Sequence, residues 1–140
     1  RCAAATLVIL PVEEVAGEAL TIQGKPRRDR EAIVRQWLDR LGLKDMELHR
    51  PACRLSGGQR RRLMLARALV AGARVLLLDE CLNGLDLPLQ RQILATLQAL
   101  RDELGLALLW VTHDVDYLPE FADVVLRLDE GYLHEAGHAA

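Results

Sequence analysis

Leu55-Ser-Gly-Gly-Gln-Arg-Arg-Arg-Leu-Met-Leu-Ala-Arg-Ala-Leu69 is the stretch from which the rest of this sequence is read. It opens with a hydroxyl, two glycines and an amide. It continues as an amphipathic helix, with Leu63, Ala66, Arg67 and Val70 at helical spacing. Ser56 suits the N-cap, where its oxygen can accept from free N–H groups of the first turn. Gly57 and Gly58 lack a Cβ, which lets another molecule approach the backbone. A helix N-terminus open in this way favours phosphate, through unpaired N–H groups and the helix dipole. A bare Ser-Gly-Gly is no more than a capped surface helix after a turn; the whole pentapeptide Leu55–Gln59 is far more specific.

Downstream of this helix, which is expected to end near Gly72, the chain changes character. Val75-Leu-Leu-Leu78 is a continuous apolar run ending in Asp79-Glu80, the pattern of a central strand buried on both faces. Asp86 can cap the next helix and Pro88 suits its first turn. Ile93, Leu94, Leu97, Leu100 and Leu104 give that helix its core face. Leu106 to Thr112 reads as a second apolar strand, ending at His113-Asp114, and Val115 to Phe121 as a short helix. Asp123 to Leu128, a turn at Asp129-Glu-Gly131, and Tyr132 to Glu135 read as a closing hairpin. This order implies right-handed βαβ units and a largely parallel sheet.

Upstream, Thr6 to Leu10 is a short strand or a buried loop segment, closed by Pro11. Val12 to Leu20 reads as a short helix with glutamates at its start, and Gly24 to Asp29 as a polar connector. Glu31 to Leu41 reads as a helix, with Ile33, Val34, Trp37, Leu38 and Leu41 on one face and Gly42 at the C′ position. Residues 44–54 read as a loop broken by Pro51. The predicted organisation is a mainly helical 1–72 followed by an α/β 73–140.

Composition bounds the reading. The 140 residues suit one domain or part of one, and 51% hydrophobic with 27% charged residues fits a soluble globular chain. A net charge of −2 gives no general reason to expect nucleic acid or membrane. The longest apolar run, Leu104 to Val111, falls well short of the roughly 20 residues that span a bilayer. Cys2, Cys53 and Cys81 make no CxxC pair, and reduced thiols in a cytosolic protein are the expected state. Arg60, Arg61 and Arg62 read as a solvated helix face aiding the electrostatics around a phosphate ligand. So few aromatic residues offer no base-stacking platform. His49, His134 and His138 form no recognisable site.

Asp79 and Glu80 stand at the C-terminal end of a predicted parallel strand, where open α/β sheets bind ligands. One such acid can hold Mg²⁺, usually through water, and the other can orient and deprotonate an attacking water. Alternatively, the pair is merely a strand entering a polar loop. Leu55 to Gln59 matches, residue for residue, the signature motif of the ABC ATPase family, and the rest of the sequence resembles that family in order. The run ending at Asp79-Glu80 resembles a Walker B motif. Asn83-Gly84-Leu85-Asp86 resembles the D-loop, and His113 resembles the switch histidine that contacts the γ-phosphate. The resemblance implies that Asp79 is the magnesium-side acid, Glu80 the catalytic base and Asp86 a contact between paired domains. It implies that Ser56, Gly57, Gly58 and Gln59 bind nucleotide in trans. Cys81-Leu82 departs from the usual Pro-Thr or similar pair, with Cys81 expected to be a small packed residue.

No Walker A motif is present, because Gly24-Lys25 lacks the earlier glycine and is followed by proline. Neither Gln23 nor Gln36 is well placed as the family's Q-loop glutamine. The sequence is therefore expected to be the C-terminal part of an ABC nucleotide-binding domain, beginning inside a longer protein. The fold expected from the resemblance is a partial P-loop NTPase-like α/β core with a helical signature subdomain. The expected function is the ATP-hydrolysing subunit of an ABC transporter, using Mg-ATP to close a head-to-tail pair. Its partners would be ATP, a second nucleotide-binding domain and transmembrane permease subunits, without nucleic acid. Its place would be cytoplasmic, at the inner face of the membrane. A soluble ABC ATPase of DNA repair or translation, or a non-catalytic piece completing a partner's site, are the alternatives.

Overall fold

The structure is a computed structural model that describes residues 10–82, 85–113 and 121–138. Its first half is helical. Helix α1, Val12–Ile22, carries Glu13 and Glu14 in its first turn, where carboxylates complement the helix dipole. It buries Val12, Val15, Ala16 and Leu20. Helix α2, Arg27–Arg40, begins four residues earlier than the apolar pattern indicates. Pro26 holds an extended ψ of 146° at the N-cap, and Arg27 pairs with Glu31 one turn on at 2.8 Å. A segment that reads as a polar connector is thus a first helical turn with charges on its solvent face. Gly42, at φ 68°, ends α2 as expected. Its N–H donates to Asp39 O at 3.1 Å and that of Leu43 to Leu38 O at 2.8 Å, the paired bonds of a Schellman cap.

A short 3-10 turn, Ala52–Arg54, leads into α3, Gly57–Val70. Helices α1, α2 and α3 pack on one another around Val15, Ala16, Val34, Leu38, Leu63 and Ala66. The same buried cluster continues into Leu76, Leu78, Ile93, Leu94, Leu97 and Leu100.

Strand β1, Val75–Asp79, is joined to β2, Ala107–Val111, by helix α4, Leu87–Leu104, and the two strands are parallel. Leu77 stands opposite Leu109, and Asp79 opposite Val111. The expected burial of β1 on both faces is not observed. Leu76 and Leu78 are 3% and 4% exposed, but Val75 and Leu77 are 58% and 74% exposed. The buried residues pack into the cluster shared with α4, and no described element covers the other face. On that face the apolar row continues into Leu109 and Val111, also exposed.

Strands β3, Val124–Asp129, and β4, Tyr132–His138, form an antiparallel hairpin, as the sequence predicts. Glu130 and Gly131 both have positive φ, 48° and 85°, which matches the twist of a two-residue hairpin turn. The expected strand at 6–10 and the expected helix at 115–121 fall almost wholly outside the described residues. Among the described residues no helix is long and apolar enough to cross a membrane.

Candidate functional site

Two groups of side chains make up the candidate site, one at the start of α3 and one at the C-terminal ends of β1 and β2. The first group is the start of α3. Ser56 is its N-cap, as its position before the glycines predicts. Its Oγ accepts from the Gln59 N–H at 3.2 Å, and its own N–H donates to Gln59 Oε1 at 3.0 Å. This reciprocal pair is a capping box. The Ser-x-x-Gln spacing in the sequence signals it.

The two glycines differ. A Cβ at Gly57 would meet nothing within 4 Å, so its backbone is open to another molecule. A Cβ at Gly58 would come within 3.2 Å of both Leu85 Cδ2 and Leu89 Cδ2. A side chain there would need both leucines to give by a few tenths of an ångström, so packing within this chain already favours a glycine. Beside them lies an open hollow of about 480 Å³, lined by Gly57, Gly58, Arg60, Arg61, Met64 and Leu85. The guanidinium groups bordering it suit an anion.

Arg62 does not belong to a solvated helix face. It is half-buried, with Nη1 donating to Leu41 O at 3.3 Å and Gly42 O at 3.0 Å, and Nε to Gly58 O at 3.4 Å. It ties the C-terminus of α2 to the first turn of α3. Burial alone pulls its pKa down from the usual arginine value.

The second group stands at the end of β1. The Glu80 N–H donates to Val111 O at 2.9 Å, carrying the parallel ladder one residue past Asp79. Glu80 has φ 46°, a left-handed conformation that costs a residue with a Cβ about 1–2 kcal/mol. A strained residue persists only where its surroundings over-determine it, and such residues gather at functional sites. His113 leaves β2 alongside, and its Nδ1 lies 3.2 Å from Glu80 Oε1. Both side chains are open to solvent, at 74% and 56% exposure. The pair therefore contributes little to stability and is free to meet a ligand.

Asp79 is exposed beside this pair. Among the described residues no group of three or more His, Cys, Asp or Glu is arranged to hold a metal ion. A lone strand-end carboxylate fits Mg²⁺, which keeps most of its waters and takes further oxygens from phosphates. Cys81 is half-buried against the core, and burial pushes its thiol up from the ordinary value, in keeping with a packed, unreactive residue. Asp86 Oδ1 accepts from the Leu89 N–H at 2.9 Å and caps α4, as expected. Asn83 and Gly84 lie outside the described residues.

Gln90, which is not among the residues expected from sequence to form the site, is buried and donates to Leu82 O and Leu85 O. Its spacing with Ile93, Leu94 and Leu97 places a polar side chain on the core stripe of α4, the signal that could have found it.

Comparison with known proteins gives consistent matches. The sequence profile of the family described as "ABC transporter" matches residues 4–83. The chain is 42% identical over 137 residues to the methionine import ATP-binding protein MetN 1 of Rhodococcus jostii, covering 98% of this chain and 38% of that protein. It is also 42% identical over 118 residues to the methionine import ATP-binding protein MetN of Brucella abortus, covering 84% of this chain and 32% of that one. It thus spans about a third of the length of these curated relatives. A solved ABC transporter described as metal-chelate type, in an inward-facing conformation, superposes with a TM-score of 0.80 at 26% identity. That match covers 94% of this chain and 54% of the other. An ATP-binding cassette of an ABC transporter in its ADP conformation superposes with a TM-score of 0.77 at 20% identity, a likeness of fold. It covers 96% of this chain and 57% of that cassette.

Proposed function

This chain belongs to the ABC transporter family, and on that premise we propose that it is part of an ATP-hydrolysing subunit. In that subunit residues 1–72 form the helical signature region and 73–140 part of the α/β core. The observation that carries the reading is the contact of His113 Nδ1 with Glu80 Oε1 at 3.2 Å, at the C-terminal ends of two parallel strands. Base-competent carboxylate and imidazole converge there, at the edge of the sheet where α/β folds receive ligands.

Glu80 orients a water against the γ-phosphorus of ATP and takes its proton as the phosphorus–oxygen bond to ADP breaks. His113, with one nitrogen on Glu80, presents the rest of its ring to a phosphate oxygen. Asp79 would hold Mg²⁺ through water, and the ion would supply positive charge to offset that of the phosphates. Ser56, Gly57, Gly58 and Gln59 close on ATP held by a second nucleotide-binding domain, with the open Gly57 backbone nearest the phosphate. Asp86 lies at the contact between the two domains. The open hollow beside Gly57 and its bordering arginines support this docking of an anion. Permease subunits at the inner face of the membrane receive the motion. The relatives' role in methionine import makes methionine the first cargo to test.

The test is Glu80→Gln in the full-length protein. The amide keeps the shape and cannot take a proton, so turnover should fall by about 10²-fold or more. ATP-dependent pairing, followed by size-exclusion chromatography, should persist. Undiminished hydrolysis would remove Glu80 from the mechanism.

A further inference from the structure

Gln90 is 7% exposed, and among the described residues it is the sole polar side chain buried in the core. Its Nε2 donates to Leu82 O at 3.1 Å and to Leu85 O at 3.2 Å. Turned the other way, the amide would set its oxygen against two carbonyl oxygens, so the bonding fixes its orientation. Leu82 O also accepts from the Leu85 N–H at 3.2 Å, which occupies both of its lone pairs. One side chain thus grips both ends of the segment that follows the Glu80 strand end.

Each end leads to a different part of the site. Leu82 is 1% exposed and lies two residues beyond Glu80. The left-handed Glu80 is held upstream by its N–H on Val111 O and downstream by the anchored Leu82. At the other end, Leu85 packs against Gly58 of α3, and Asp86 caps α4. The grip therefore spans the carboxylate at the sheet edge and the glycine at the helix start.

We propose that Gln90 is a positioning residue: its amide clamps Leu82 and Leu85 and fixes Glu80 in its left-handed conformation, in register with Gly58. It acts through the chain it holds. The inference rests on the reading of Glu80 as the base.

The experiment compares ATP turnover of the full-length protein carrying Gln90→Met with the same change in a Glu80→Gln background. Methionine keeps the length and the unbranched shape but has no donor. Displacing a base slightly is costly, so kcat should fall by about tenfold or more, with KM for ATP within about twofold. In the Glu80→Gln background the same substitution should cost nothing further, because the group it positions no longer acts. A loss of packing alone would lower both backgrounds alike and raise KM. Gln90→Asn is gentler on the fold and withdraws the amide by one methylene; its kcat should fall in the same direction, and it carries the test should the methionine variant not fold. Wild-type kcat in a folded Gln90→Met or Gln90→Asn protein overturns the proposal, as does an equal loss in both backgrounds. Turnover that survives Glu80→Gln alone is a different result: it overturns the reading of Glu80 and with it this inference.

Discussion

Ser56 and Gln59 each satisfy a backbone N–H of the other, so either truncation frees a donor at the start of α3. Ser56→Ala should lower stability by about 1 kcal/mol, read as a reduced denaturation midpoint at unchanged m-value. Such caps are legible in sequence because their partners lie within one turn; Ser56 and Asp86 both cap where expected. Gly58 is less legible. The sequence suggests an opening for a ligand, whereas the residues that crowd it, Leu85 and Leu89, are distant in the chain and come together only in the fold. The convergence of Glu80 and His113 follows from a register no single strand records, yet the resemblance to a known motif order anticipates both positions.

Between elements the notable tie is Arg62. Its guanidinium meets the last carbonyls of α2 and the Gly58 carbonyl of α3, where a cation also complements the α2 dipole. Arg62→Met should cost about 1–3 kcal/mol, since it leaves partly buried carbonyls without a charged donor. Lysine should recover little, because a single ammonium cannot reach what the planar fork does. Arg61→Met, whose side chain borders the hollow, serves as the control in the same chemical denaturation series. The Arg60–Arg62 run reads in sequence as one solvated face; helical geometry turns its third member toward α2. Likewise the start of α2 was hidden because Arg27, Arg28 and Asp29 are as suited to a connector as to a first turn.

At the scale of the whole molecule, the two parallel strands and their linking helix are readable from apolar runs separated by a capped amphipathic segment. The burial of the strands is not, because a continuous apolar run does not reveal whether one face or two is covered. The Leu77–Leu109 pair tests the difference. Replacing both by threonine should reduce binding of a hydrophobic dye while changing stability little. Leu78→Ala, on the covered face of the same strand, should cost about 2–5 kcal/mol. The row of Val75, Leu77, Leu109 and Val111, which no element among the described residues covers, has a further consequence for how the chain behaves as its solution is warmed. Near room temperature the gain from hiding apolar surface is almost wholly entropic and weakens on cooling. Copies of the chain that meet through this row should therefore associate more as the sample warms and separate again in the cold.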